Sequence, residues 1–188
     1  MVRFMKKWCN RYLKGVVVLI FIAAALSADS VHATAQLPDI LIYRGETFSL
    51  FTNPLESYFN EDHPKPREIL APGCTASWRG YVATWEIKEN HLYLVKLTRG
   101  CSKTEIPLEK LFPGRKGPIQ ALWYDGTLRV PQGKRLMYVH MGYGSVYERD
   151  IWLTIEKGRL IEETVTDNTK EKLPPAEDKA REEIGKMK

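Results

Sequence analysis

The sequence contains little cysteine and lacks the short motifs that mark many enzyme classes. Three of its 188 residues are cysteine, and no two of them are spaced as C-x-x-C. No H-E-x-x-H, G-x-S-x-G or phosphate-binding-loop pattern is present, and the histidines stand apart from one another. These absences argue against the common forms of metal, nucleotide and triad chemistry. We therefore predict a non-enzymatic protein with no catalytic residue, no metal and no cofactor.

An excess of charge is also missing once the first 35 residues are set aside. The whole chain has 28 Lys and Arg against 23 Asp and Glu, a net charge of +5. Residues 1–35 contain five of the basic residues and one of the acidic ones, which leaves 23 and 22 in the remainder. A nearly neutral domain has no electrostatic footprint for a polyanion, so no nucleic-acid partner is predicted.

The first 35 residues have the layout of a cleavable secretory signal peptide. Their basic residues precede a 12-residue apolar run, Gly15 to Leu26, which is shorter than the ~20 residues that span a bilayer. Ala33-Thr34-Ala35 then fits the small-residue cleavage pattern, with cleavage two residues earlier as the competing site. The sequence thus predicts export to the periplasm or the medium, with no stable membrane insertion after cleavage.

Cleavage would remove Cys9 and leave two cysteines, Cys74 and Cys101. An even number of cysteines in an oxidising compartment favours a disulfide. These two bracket the segment from Tyr81 to Leu97, which has the pattern of a β-hairpin, so its two ends should lie close together. We predict a structural Cys74–Cys101 disulfide; a redox pair or a metal site is the alternative.

Four stretches of alternating apolar and polar residues predict β-hairpins. They cover residues 40–50, 83–95, 121–130 and 151–161, each with Gly or Asn at its turn. Asp125-Gly126 is the strongest turn signal, because Gly accepts the positive φ of a type I′ turn. Four hairpins give about eight strands. The prediction is an all-β domain over residues 36–166, an antiparallel hairpin meander that forms a small barrel or a sandwich.

The same alternation predicts which strand faces are buried. One set is Tyr81, Ala83, Trp85 and Ile87, and another is Ile151, Leu153 and Ile155. Between the strands, short helical insertions are predicted at 52–59, with Asn53 as N-cap and Glu56 completing a capping box, and within 106–112. Residues 167–188 are highly charged and are predicted to form a mobile tail.

Two segments combine the residue types that are common at binding surfaces. Trp78 and Arg79 lie a few residues after Cys74, and a Gly-rich stretch further along contributes four aromatic residues, Tyr138, His140, Tyr143 and Tyr147. Tyr143 lies between two glycines, which predicts an exposed ring at a hairpin end. We predict that both segments form one surface that binds a protein partner. The structural alternative is a plain hairpin bend, with Trp78 capping the core.

Two other functions remain open at this point. A small-ligand carrier would line a hollow barrel with the recurring strand residues Trp85, Trp123 and Trp152. A hydrolase would combine Ser145 and His140 with Glu148 or Asp150. The first predicts a deep apolar cavity, and the second predicts a hydrogen-bonded set around Ser145.

Several runs resemble an uncharacterised family of small exported bacterial proteins with no assigned activity. They are LIYRGETFSLFTNPLESYF, CTASWRGYVATWEI, LWYDGTLRVPQG and YVHMGYGSVYERDIWLTIEKG, which together cover most of the chain after residue 36. The resemblance implies a bacterial periplasmic setting, and it favours a role like that of inhibitors or immunity proteins encoded beside secreted toxins. It implies no functional residue.

Overall fold

A computed structural model describes residues 35–139 and 141–170. Most of the predicted signal peptide, His140 and residues 171–188 lie outside the described residues. Eight strands form in chain order: β1 (Asp39–Tyr43), β2 (Glu46–Leu50), β3 (Tyr81–Lys88), β4 (His91–Arg99), β5 (Ile119–Gln120), β6 (Gly126–Met137), β7 (Val146–Glu156) and β8 (Arg159–Asp167). The all-β prediction is confirmed. No helix in the described ranges combines the length and the apolar character needed to cross a membrane.

The strands form one sheet in the order β2-β1-β3-β4-β8-β7-β6, with β5 paired to β4. All pairs are antiparallel except β1 and β3, which run parallel. The sheet is therefore mixed, because the long connection from residue 51 to residue 80 returns the chain to the end at which β1 began. The prediction that all neighbouring strands pair antiparallel was therefore wrong for β1 and β3.

The sheet folds back on itself but does not close into a barrel. Tyr43 on β1 donates a 2.8 Å hydrogen bond to Glu163 on β8, although β3 and β4 lie between those strands in the sheet. The edge strands β2 and β6 approach each other at one end, where the Phe51 N–H donates to the Arg129 carbonyl oxygen at 2.8 Å. This curvature encloses the core from both sides.

Three of the four predicted hairpins form, at residues 40–50, 83–95 and 151–161. The one at Asp125-Gly126 was wrong: Gly126 begins β6 and pairs with Ile155 of β7. Tertiary contacts override the local turn signal. The Asp125 carboxylate accepts the Lys157 backbone N–H at 2.8 Å, and the Tyr124 carbonyl accepts the Gly158 N–H at 3.0 Å. Residues 121–125 thus pack against the β7–β8 turn and do not form a hairpin turn themselves.

The core is filled, and most of the predicted inward residues are buried in it; Ile87 and Ile151 are only partly buried and pack against it. Tyr81, Ala83 and Trp85 have no exposed surface, and Leu153 and Ile155 are at most 1% exposed. Trp123 packs against this core from its margin. Large side chains therefore occupy the interior that a carrier would need to keep open, and the described residues provide no hollow barrel.

The predicted disulfide forms, and the two predicted helical insertions are present as single short turns. Cys74 and Cys101 are bonded, as predicted, next to the point where Tyr81 pairs with Arg99. The predicted helices are short 3₁₀ helices, Pro54–Tyr58 and Leu108–Lys110. The capping box at the first is absent, because the Asn53 side chain makes no cap hydrogen bond. Its amide instead points to Tyr143, as described below.

The described C-terminal residues continue slightly past the predicted domain boundary. β8 ends at Asp167. The next residue, Asn168, is buried, and its amide donates 2.9 Å hydrogen bonds to the Asp150 carboxylate and the Tyr147 carbonyl. The rest of the predicted tail, from residue 171, lies outside the described residues.

Candidate functional site

The two segments predicted to form a surface do meet, and residues 35–38 lie between them. Ala35 forms a parallel bridge with Gly142 in the β6–β7 loop. On the other side, the Leu37 N–H donates to the Ala76 carbonyl at 2.8 Å, and the Trp78 N–H donates to the Gln36 side chain at 3.4 Å. The predicted cleavage after Ala35 would remove the bridge to Gly142. In the exported chain, the N-terminal strap, residues 36–38, therefore joins the segment 74–80 to the β6–β7 loop through the Leu37 carbonyl, which accepts a 3.1 Å hydrogen bond from the Tyr143 hydroxyl.

Arg79 is the centre of this junction, and it is buried rather than exposed. Only 3% of its surface is accessible. Its guanidinium donates to the Tyr143 hydroxyl at 2.7 Å, to the Leu37 carbonyl at 2.9 Å and to the Asp39 carboxylate at 3.1 Å. The prediction of a solvent-exposed Arg79 was wrong, because a partner carboxylate 40 residues earlier in the chain allows the charge to be buried.

Tyr143 is half-buried and does not project from the loop. Its ring stacks on Phe51, with ring centres 5.0 Å apart and planes inclined at 23°. Its hydroxyl accepts hydrogen bonds from Arg79 and from the Asn53 amide (3.0 Å), and donates one to the Leu37 carbonyl (3.1 Å). The expectation of an exposed ring was wrong, since the aromatic face and the hydroxyl both find partners in the domain.

Asp39 supplies the negative charge at the base of the junction. It has no exposed surface, and its carboxylate accepts from the Ala83 N–H and the Trp85 indole N–H at 3.1 Å each. Burial raises the pKa of the Asp39 carboxyl to about 6, and the nearby Arg79 charge opposes this rise without cancelling it. The Arg79 Nε atom has no hydrogen-bond partner among the described residues, so the pair is held tightly but not completely satisfied.

A second arginine fixes the loop from the opposite side. The Arg129 guanidinium binds both carboxylate oxygens of Asp150, at 2.8 and 3.1 Å. It also donates to the backbone carbonyls of Tyr143 and Ser145, at 2.8 and 3.0 Å. This planar, multi-donor contact ties a β6 side chain to the loop that β6 leads into.

Sequence reasoning missed Asp39, Phe51, Asn53, Arg129 and Asp150 as parts of this site. One signal for Asp39 was present: it lies in phase with the buried residues Leu41 and Tyr43 of β1. An acidic residue on the core face of a strand requires a buried partner. Nothing local identifies that partner as Arg79.

Of the remaining predicted site residues, Tyr147 contacts the junction and Tyr138 contacts Arg135. Tyr147 packs edge-on against Phe51, with ring centres 5.6 Å apart. The Arg135 guanidinium lies 4.6 Å from the Tyr138 ring centre, and His140 lies outside the described residues. The Ser145 hydroxyl contacts the Val139 backbone. The described residues contain no group of three His, Cys, Asp or Glu that could hold a metal ion.

Two large apolar side chains remain exposed beside this buried junction. Trp78 is 67% exposed and directly precedes Arg79. Met141 is 70% exposed and lies in the loop that Tyr143 anchors. Both flank the N-terminal strap, and we refer to Trp78 and Met141 as the apolar pair.

Comparison with models of protein families, with curated proteins and with solved structures finds no match to this chain.

Proposed function

We propose that this chain is an exported, non-enzymatic protein that recognises another protein through the apolar pair. The observation that carries the proposal is the exposure of Trp78 and Met141 on two segments that buried hydrogen bonds hold together. Tryptophan is strongly enriched among residues that dominate protein–protein binding energy. Methionine adapts its shape to an apolar partner.

The buried junction gives this surface a fixed geometry. Arg79 anchors Trp78 from the next position in the chain, and Arg129 and Tyr143 anchor the loop that carries Met141. A pre-organised surface loses less conformational entropy on binding than a mobile one. This revises the predicted interface: Arg79 and Tyr143 support the contact residues and are not contacts themselves.

The Cys74–Cys101 disulfide supports export to the periplasm or the medium, because such bonds persist mainly in oxidising compartments. In its narrower form the proposal is an inhibitor or an immunity-type protein, which rests on the resemblance to small exported bacterial proteins. The filled core argues against a carrier that uses the interior of the sheet.

A comparative capture experiment with three baits tests the proposal. The baits are the wild type, a variant with Trp78→Ser and Met141→Ser, and a control with Val165→Ser. Val165 is 59% exposed on β8, so the control removes a comparable apolar side chain elsewhere. Proteins from the native envelope that bind the wild type and the control, but not the double variant, are the expected partners.

All three baits should unfold at the same urea concentration, because each substituted side chain is exposed. If every protein retained by the wild type is also retained by the double variant, the apolar pair is not the recognition surface.

A further inference from the structure

A cleft separate from the apolar pair lies between the first 3₁₀ helix and the segment that leads into β6. It is a cleft of about 330 Å³, near the small end of the range of small-molecule sites, roughly 300–1,000 Å³. It is lined by Tyr58, His63, Phe112, Pro113, Arg115, Gln120, Leu122 and Trp123. Nothing in the proposed protein contact uses these residues.

The floor of this cleft is a fixed aromatic cluster. Phe112 and Trp123 are stacked with ring centres 5.7 Å apart, and Tyr58 lies 4.9 Å from each of them. The Trp123 indole N–H donates to the Pro54 carbonyl at 3.1 Å, which fixes the orientation of the indole. Leu122, which is 58% exposed, adds an apolar wall at the rim. Phe112 is itself buried, with 6% of its surface exposed, so the partly exposed Trp123 indole forms the accessible part of the floor and Phe112 supports it from below.

The charged lining of the cleft is positive. Arg115 is its permanent cation, and none of the lining residues is acidic. In the described parts of the chain, the five ion pairs involve other cations, so no carboxylate neutralises Arg115. The Arg115 backbone N–H donates to the Phe112 carbonyl at 3.1 Å, and this hydrogen bond holds the turn next to the aromatic cluster. A guanidinium beside an aromatic surface complements a carboxylate attached to an apolar ring.

We propose that this cleft binds small aromatic carboxylates, with the ring against the Trp123 indole and the carboxylate on Arg115. The site is separate from the protein-recognition surface and does not depend on it. It differs from a barrel-interior carrier, because the ligand lies in a surface cleft outside the filled core.

The test is an NMR titration of the full chain, labelled with ¹⁵N, with 3-phenylpropionate as the probe. The neutral 3-phenylpropionamide serves as the uncharged counterpart. We expect saturable shifts of the Trp123 indole and Gln120 signals at probe concentrations of about 1–10 mM, typical of a ligand this small. The amide should bind roughly fivefold more weakly, as expected for the loss of one partly exposed charged contact.

Arg115→Ala and Lys116→Ala form a matched pair, because both side chains are exposed and only the first lines the cleft. Arg115→Ala should weaken binding of the acid roughly fivefold and abolish its advantage over the amide, whereas Lys116→Ala should change it by less than about twofold. Trp78→Ser should bind the probe like the wild type. The proposal is overturned if the signals do not saturate, if acid and amide bind equally to the wild type, or if the two alanine variants behave alike.

Discussion

The Arg79 guanidinium lies 2.7 Å from the Tyr143 hydroxyl, and this hydrogen bond joins segments that are 64 residues apart in the chain. The same guanidinium holds Asp39 and the carbonyl of Leu37. Three parts of the molecule therefore depend on one side chain: β1 with its preceding strap, the segment after Cys74, and the β6–β7 loop. These buried hydrogen bonds fix the positions of the two segments that carry the exposed apolar pair.

Removal of the Tyr143 hydroxyl should destabilise the domain. Tyr143→Phe keeps the ring on Phe51 but leaves Arg79, Asn53 and the Leu37 carbonyl each short of one hydrogen bond. We expect the free energy of unfolding in urea to fall by about 1–3 kcal/mol.

Tyr147→Phe is the matched control for this loss. Tyr147 packs on the same Phe51 ring, and no described residue is hydrogen-bonded to its hydroxyl. Its removal should change the unfolding free energy by less than about 0.5 kcal/mol. Equal losses in the two variants would show that the Tyr143 hydroxyl contacts contribute no specific stability.

The sequence was sufficient to predict most strands but not the character of the site. Alternation identifies a strand face because side chains of successive residues point to opposite sides. This is why most of the buried residues of β3 and β7 were predicted correctly, although Ile87 and Ile151 are only partly buried. The surface prediction joined the segment 77–81 to the loop around Tyr143 on residue type alone, because aromatic and Arg side chains are common at interfaces. Whether a residue in these segments is exposed depends on partners far away in the chain, such as Asp39 for Arg79.

The Asp39 carboxyl should make stability depend on pH in a defined window. Burial raises its pKa to about 6 from an ordinary 3.8, so the folded chain binds this proton more tightly than the unfolded chain. The Asp39 contribution to stability is then full below about pH 4 and falls by up to about 3 kcal/mol as the pH rises to about 6. Burial also raises the pKa of the neighbouring Tyr81 and Tyr143 hydroxyls above their ordinary value of 10, far from this window.

Urea unfolding of the wild type and of Asp39→Asn at pH 4, 5, 6 and 7 measures this contribution. The difference between their unfolding free energies cancels the effect of every other titrating group, because both proteins contain those groups. The wild type should lose stability relative to the variant between pH 4 and 6 and remain level above that. A flat or rising difference across the same interval would mean that the Arg79 charge cancels or outweighs the effect of burial on the Asp39 pKa.

The disulfide should contribute to stability through the unfolded chain. Cys74 and Cys101 are 27 residues apart, and opening this loop frees conformational entropy when the chain unfolds. Cys74→Ala together with Cys101→Ala should lower the unfolding free energy by about 2–4 kcal/mol. Peptide mapping without reductant should recover the linked pair from periplasmically expressed protein; free thiols at both positions would refute the bond.

The turn between β7 and β8 should tolerate no side chain at its glycine. Gly158 has φ +73°, and a Cβ there would lie 2.6 Å from the Ala121 carbonyl oxygen. Gly45 has a similar φ of +80° but open space around the Cβ position. Gly45→Ala should cost about 1–2 kcal/mol from backbone strain alone, and Gly158→Ala should cost at least about 2 kcal/mol more because backbone must move. Equal costs in urea unfolding would contradict the close packing of this turn on residues 121–124.

That packing also explains why the Asp125-Gly126 prediction failed. Asp-Gly favours a tight hairpin when only local energetics act. Here the Asp125 side chain and the Tyr124 carbonyl both bind the incoming β7–β8 turn, and Gly126 begins a long strand instead. The parallel pairing of β1 with β3 was equally inaccessible, because it depends on where a 30-residue connection, residues 51–80, returns. The residue pattern within either strand does not indicate where this connection ends, so it could not predict the parallel pairing.

A double-mutant cycle on Arg79 and Tyr143 tests the central claim most directly. Arg79→Lys keeps a cation beside Asp39 but lacks the planar fork that reaches both Asp39 and Tyr143. Unfolding free energies of the wild type, Arg79→Lys, Tyr143→Phe and the double variant give the coupling between the two side chains. The structure predicts a favourable coupling of about 1–2 kcal/mol. Additive effects, with coupling below about 0.3 kcal/mol, would mean that Arg79 and Tyr143 do not hold the two segments together and would remove the basis for a pre-organised binding surface.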